Sequence, residues 1–288
     1  MKFRILLKVL VMRFFECFPS LISDEKHSKL LFWIIFGYIP NLNQPQTMNE
    51  YICASKIDDN KLNYDKYTDK YMVRDYVSQV IGEHYLNRVL GIYSSFDEID
   101  FDKLPKSFAL KATHGSSYNI IVKDKTQFDK HAAKKSFDKW LKENFYYKDR
   151  EKNYKNIKPR IMCDVYLEPS DEELEEYKIF CFKGKVGFIQ HNKMLNGERH
   201  SNIFDARWNL LPVRYGYSGF TNDSKPENGD ELIAIAEKLA KPFEFVRVDL
   251  YNVDSKIIFS ELTFHSGGGL IPFVPNDYDR QFGKLLGL

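Results

Sequence analysis

Residues 245–269, FVRVDLYNVDSKIIFSELTFHSGGG, alternate between apolar and polar with a period of two. Val246, Val248 and Leu250 share one strand face, while Arg247 and Asp249 share the other. Downstream, Leu262 and Phe264 lie on one face and Glu261 and Thr263 on the opposite one, and the polar cluster at 252–256 marks a turn. The pattern predicts a β-hairpin. With a three-residue loop at 254–256, Asp249 faces Glu261, Val248 faces Leu262 and Arg247 faces Thr263. A register slipped by one residue would pair Asp249 with Ser260 and split the apolar sets between faces, so the hydrophobic pattern favours the first.

Elsewhere the periodicity is mixed. Residues 24–100 read mostly helical, interrupted by a PNLNQPQT loop at 40–47. A helix is predicted over 69–90, with Tyr71, Val73, Tyr76, Val77, Val80 and Ile81 as its apolar stripe. A short strand at 108–113, a small polar loop HGSSYN at 114–119 and a strand at 120–122 come next. A helix follows over 125–145, and the lysine-rich 146–158 stretch reads as a mobile surface segment. Strands are predicted at 160–167, 177–182 and 186–190, with an acidic, loop-like insert at 168–176. Residues 191–225 read as irregular, and a helix at 230–241 delivers the chain into the hairpin. There are no internal repeats.

A length of 288 residues with 43% hydrophobic content suits one large or two modest globular domains and excludes a disordered chain. The formal charge of only +2 gives no whole-chain argument for a nucleic-acid partner. Cys17, Cys53, Cys163 and Cys181 show no CxxC spacing, which argues against zinc and for a reduced, cytoplasmic protein. In the opening MKFRILLKVLVMRFFECF, Lys8 and Arg13 interrupt the apolar run before about 18 residues accumulate, so it is not a membrane span. It lacks the small-residue cleavage site of a signal peptide. Residues 1–18 fit equally a basic amphipathic helix on a membrane surface, held by Lys2, Arg4, Lys8 and Arg13, or a helix docked on the body.

The hairpin carries the candidate chemistry. Two carboxylates opposite each other repel, so Asp249 and Glu261 call for something positive. Hard oxygen ligands beside an arginine suit Mg²⁺ holding phosphates; a solvated strand face with mixed charges is the alternative. In HGSSYN, Gly and Ser leave backbone N–H groups open to phosphates, with Lys111 at the strand end, although a plain hairpin turn reads the same way.

Five segments in order, NLNQPQTMNE, DKYMVRDYV, LPKSFALKATHGSSYNIIVKD, EYKIFCFKGKV and VRVDLYNVDSKIIFSELTFHSGGGLIPF, make the chain resemble the TupA-like branch of the ATP-grasp proteins, a branch linked to bacterial cell-surface polysaccharide synthesis. The resemblance implies an α+β ATP-grasp fold. A helical region at 1–103 would precede two subdomains, 104–160 and 161–288, that clasp ATP. It also implies that Lys111 contacts the phosphates, that His114, Gly115, Ser116 and Ser117 close over them, and that Arg74 adds a basic contact. The strand through Asp164, Tyr166 and Glu168 would bind the adenine edge and ribose, with Asp171 as a rival for the ribose. Lys178 would turn toward the phosphates or acyl group. Asp249 and Glu261 would hold Mg²⁺, and Arg247 would stabilise the transferred phosphoryl group. Thr263 stands where the family commonly has a third, Asn ligand. The implied activity joins an amine or amino acid to a carboxylate, in this branch a uronic acid. A glycosyltransferase is disfavoured because the paired carboxylates sit in the RxD then ExT hairpin rather than in a DxD motif, and a non-catalytic ATP-binding protein stays open because of Thr263.

Overall fold

The structure, a computed structural model, describes residues 2–167 and 174–288. Glu168 and Asp171 lie outside those residues.

Five helices come first: α1 (Lys2–Cys17), α2 (Asp24–Phe36), α3 (Met48–Ser55), α4 (Asp65–Thr68) and α5 (Val73–Ile81). Their ends follow from local chemistry. The Ser23 hydroxyl accepts from the Lys26 N–H to start α2, and Gly37 ends it in the left-handed region at φ 84°. Thr47 caps α3 through the Glu50 N–H. The Glu50 carboxylate in turn receives the Asn41 and Gln46 N–H groups, which fixes the 40–47 loop. Ahead of α5, the Asp69 carboxylate accepts the Tyr71 and Met72 N–H groups.

The helix expected over 69–90 stops at Gly82, whose φ of 106° no helix accommodates. The remaining residues turn into β1 (Val89–Tyr93), a run too short for its apolar periodicity to separate strand from helix. Then come β2 (Phe108–Ala112), β3 (Asn119–Val122), α6 (Lys130–Trp140), α7 (Tyr146–Asp149) and β4 (Ile161–Val165). The four strands form one antiparallel sheet in the order β1-β4-β2-β3. It therefore reaches beyond the expected 104–160 span on both sides. Phe108, Leu110, Phe137 and Cys163 form its core.

The 146–158 stretch is not a surface segment, because its polar groups find buried partners. Asp149 meets Lys56, Arg150 donates to the Phe15 and Pro19 carbonyls at 3.3 and 3.1 Å, and Asn153 donates to the Thr68 hydroxyl.

The rest of the chain builds a second sheet from β5 (Glu175–Phe182), β6 (Lys185–Leu195), β7 (Glu198–Asp205), β9 (Phe245–Val253) and β10 (Lys256–Thr263), in the order β10-β9-β5-β6-β7. Between β7 and β9 come β8 (Arg214–Tyr215) and α8 (Gly229–Ala240), and the chain ends through β11 (Phe273–Val274) and α9 (Asp277–Gly283). Here too a sequence expectation fails. Residues 191–205 are strand, turning at Asn196 and Gly197, both at positive φ. Polar residues such as His191, Asn192, Ser201 and Asn202 are buried on these strands, which hides the apolar alternation. Tyr177, Ile179, Val246, Val248 and Leu250 pack with Leu232, Ile235 and Leu239 of α8. The alternation then leaves Lys178, Arg247 and Asp249 on the opposite face.

The hairpin has the expected pairs by another route. Its turn is two residues, Asp254 and Ser255, both at positive φ as a type I′ turn requires. That register alone would pair Asp249 with Ser260, but a bulge between Phe259 and Glu261 absorbs one residue and sets Glu261 against Asp249 and Thr263 against Arg247.

At the N-terminus α1 packs on α2 through Leu7, Val11 and Met12. Two of the four basic residues expected on a membrane face do other work. Arg4 donates to the Ile35 carbonyl at 3.0 Å, and Lys8 is turned into the body, where burial lowers its pKa against the pull of Asp149. Among the described residues no helix is long and apolar enough to cross a membrane.

Candidate active site

The hairpin forms the floor. Asp249 is fully buried, and Arg247 grips both of its oxygens, Nε to Oδ1 at 2.6 Å and Nη2 to Oδ2 at 2.7 Å. Such a bidentate fork fixes both side chains. From the neighbouring strand Lys178 adds a contact to Oδ2 at 2.9 Å and reaches Glu176 at 3.2 Å. Arg247 also donates to the Ser266 hydroxyl at 2.8 Å and to the Thr263 hydroxyl at 3.0 Å, and it lies 3.5 Å from Glu261. Thr263 passes its own proton to Glu261 Oε1 at 3.0 Å. Its hydroxyl is thereby committed to orienting Glu261.

Electrostatics separate the two carboxylates. Burial raises the Asp249 pKa despite Arg247 and Lys178. Burial would raise that of Glu261 too, but Lys70, Arg247 and Lys178 bring it down to about 2. Glu261 is therefore ionised at neutral pH, and its side chain is 30% exposed toward the cavity.

Lys70 is the residue that sequence reasoning missed, having placed the basic contact at Arg74. Its ammonium sits 3.7 Å from Glu261 and donates to the Gly115 carbonyl at 2.7 Å, so it ties the 114–119 loop to the hairpin. Its position was legible: it directly follows Asp69, whose carboxylate starts α5, and so it lies before the helix rather than on its solvated face.

The first sheet supplies the facing wall. Lys111 on β2 bonds Asp164 on β4 at 2.9 Å, and Asp164 is itself buried, so it serves as the anchor of that lysine. A cavity of about 310 Å³ between the walls is lined by Arg74, Lys111, Ser116, Ser117, Asp164, Lys178, Arg247 and Glu261 among the expected residues. Lys70, Asn87, Glu176, Arg199 and Tyr251 line it unexpectedly. Asp249 and Thr263 lie behind Arg247 and Glu261. His114 is turned away, buried with Nε2 on the Trp140 carbonyl. Gly115 contributes its carbonyl, and a Cβ there would come within 2.6 Å of the Tyr118 ring. Tyr166 does not line the cavity. A larger cavity, about 1030 Å³ near α2 and α9, offers the carboxylates of Glu50 and Asp279, which already bind backbone N–H groups.

Behind Arg247 the Ser266–Gly269 turn rests on α3. Gly267, Gly268 and Gly269 all have positive φ. The fully buried Lys56 donates to the Gly268 carbonyl at 3.0 Å and to Asp149 at 2.9 Å. A Cβ on Gly268 would lie 1.7 Å from Asp149 Oδ2. The turn holds Ser266 between Arg247 and the Tyr215 hydroxyl, which donates to it at 3.2 Å.

The donor set fits one kind of metal. Asp249 and Glu261 are hard oxygen ligands on adjacent strands, and no group of three His, Cys, Asp or Glu side chains is gathered among the described residues. Two carboxylates suit a Mg²⁺ that completes its shell with water and phosphate oxygens.

The chain spans about half the length of the solved structures it matches, from 44% to 60%. D-alanine–D-alanine ligase from Bacillus anthracis complexed with ATP is 15% identical, with 69% of this chain and 55% of that one covered and a TM-score of 0.42. The ATP-grasp ligase PsnB complexed with minimal precursor is 10% identical, with 70% and 53% covered and a TM-score of 0.41. D-alanine–D-alanine ligase from Helicobacter pylori is 12% identical, with 77% and 60% covered and a TM-score of 0.39. No curated protein matches. The family model described as TupA-like ATPgrasp, by contrast, matches residues 50–287, from α3 through α9 and across both sheets. The chain belongs to the TupA-like ATP-grasp family.

Proposed function

We propose that the protein is an ATP-dependent carboxylate–amine ligase that forms an amide through an acyl phosphate and releases ADP and phosphate. The observation that carries this reading is one cavity lined by four cations, Lys70, Lys178 and Arg247 over Glu261 and the buried Asp249, and Lys111 on the facing wall against Asp164. So many fixed cations suit a polyphosphate whose charge spreads further in the transition state.

In this reading Lys111, held by Asp164, contacts the phosphates, and Ser116 and Ser117 present the loop that covers them. Asp249 and Glu261 hold Mg²⁺, with Thr263 orienting Glu261; bound there, the ion neutralises phosphate oxygens. The substrate carboxylate attacks the γ-phosphorus as the bond to ADP breaks. Lys178 and Arg247 neutralise the oxygens of the resulting acyl phosphate. An amine then adds to the acyl carbon, Arg247 stabilises the tetrahedral oxyanion, and collapse expels phosphate while the amine loses its proton. Little covalent chemistry falls to the protein, whose part is positioning and exclusion of water. Asn87, Met162 and Leu167, which also line the cavity, are left for the adenine and ribose.

As a member of the TupA-like branch, the enzyme takes as carboxylate a uronic acid of a bacterial surface polysaccharide or its precursor, and as amine an amino acid or simple amine. Dependence on ATP puts the reaction on the cytoplasmic side. The test is ADP release by purified protein with ATP, Mg²⁺ and uronic acids crossed with amines. Release that requires both partners supports the ligase. Release with neither, or sugar transfer without ADP, refutes it.

A further inference from the structure

The outward face of α1 is apolar where a surface helix is ordinarily polar. Phe3, Leu6, Leu10 and Phe14 follow one another at spacings of three or four residues and so form a single stripe. Phe3 is 76% exposed and Leu10 55%, and Ile5 and Val9 are exposed beside them. The helix is not merely inverted, because Leu7, Val11 and Met12 already pack on α2. It is apolar on both sides, while Lys8 points inward. Exposed apolar stripes of this size mark contact with a partner or a membrane.

Charge selects the occupant. Four basic residues against one acid give α1 a formal +3, in a chain whose total is +2. A second copy of the chain would bring two such helices together, whereas an anionic bilayer complements both the charge and the stripe. Arg13 is exposed one turn from Val9 and Leu10, at the edge of the stripe where a guanidinium can reach headgroups. We propose that α1 lies in the interface of an anionic lipid bilayer, with Phe3, Leu6, Leu10 and Phe14 among the acyl chains and Arg13 at the headgroups. Apolar insertion and the remaining positive charge act together, Lys8 being turned into the body.

The experiment uses the full chain and sedimenting vesicles of phosphatidylcholine, alone or with about one third phosphatidylserine. The parent is expected to sediment with the anionic vesicles and much less with the neutral ones. Leu6→Asn, Leu10→Asn and Phe14→Asn combined should lower partitioning about tenfold or more. These outward side chains can be exchanged with the circular dichroism spectrum unchanged. Arg13→Glu should weaken partitioning several-fold on its own. A parent that stays in the supernatant with both vesicles would overturn the proposal, as would a triple variant that binds like the parent. Light scattering that shows a dimer of the parent and a monomer of the triple variant would overturn it too, assigning the stripe to a second copy.

Discussion

Lys56→Met tests the buried pair beneath the glycine turn. Methionine keeps the length and apolar stem of lysine, so packing changes little and the effect is electrostatic. The Lys56 ammonium is inaccessible to solvent and the Asp149 side chain is 10% exposed, with 2.9 Å between them. Removing one partner of a buried pair leaves an uncompensated charge and costs about 3–5 kcal/mol. The orphaned Gly268 carbonyl adds about 1 kcal/mol or more. Total stability of a domain is of order 5–15 kcal/mol, so the loss is large. Adding Asp149→Asn removes the orphan charge, and the double variant should recover most of the loss, keeping only the deficit from the carbonyl. Burial alone would lower the Lys56 pKa, but Asp149 outweighs it and the net shift is upward. The stabilisation is therefore fully present at neutral pH and is lost only in alkali, as pH rises through the folded value. Urea unfolding at pH 7, followed by tryptophan fluorescence, reads all three proteins. A single variant within about 1 kcal/mol of the parent, or a double variant worse than the single one, would refute the buried-pair account.

Three further outcomes are expected. Glu261→Gln should weaken Mg²⁺-dependent ATP binding in a titration while costing about 1 kcal/mol of stability or less, whereas Asp249→Asn should also cost about 3 kcal/mol, because it strands Arg247 and Lys178; parental Mg²⁺-ATP affinity in both variants would remove the metal role. Arg247→Lys should keep most ATP affinity yet slow substrate-dependent ADP release by about 10²-fold, since a lysine cannot replace the planar fork; unchanged turnover would make Arg247 a structural charge. Burial lowers the pKa of His27 to about 4 and of His265 to about 3, so below the ordinary 6.5 the unfolded chain takes up protons that the native one refuses. Stability should fall by up to about 1.4 kcal/mol per pH unit for each histidine, and His27→Gln should flatten the acid limb measured by thermal unfolding.

The hairpin shows both what the sequence exposes and what it hides. Burying one face favoured pairing Asp249 with Glu261, because a register slipped by one residue would have turned Val248 or Leu262 to the wrong side. The turn length and the compensating bulge left no trace, since the two errors cancel at the site. Buried polar strands were harder: 191–205 carries histidine and asparagine inside, and partners remote in sequence satisfy them. The 146–158 segment misled for the same reason, its Asp149 depending on Lys56 some ninety residues earlier. Lys111 and Arg247 stood out from the strand patterns and Lys178 through the family resemblance, and all three line one cavity. Lys70 escaped because its partners are a backbone carbonyl and a carboxylate on different elements.

The three glycines of the turn are unequal as targets for variation. A side chain at Gly267 would press on Ile271, a flexible neighbour that can rotate away. At Gly268 it would enter the space of Asp149, and at Gly269 the nearest atom is the Asn49 carbonyl oxygen, 2.6 Å away on the backbone of α3. In a saturation library, tolerance should therefore drop sharply from the first glycine to the second and third. Asparagine, which often replaces glycine at positive φ, would find no room at those two. What limits the turn there is space rather than flexibility, so redesigning it would have to begin in α3 and at Asp149.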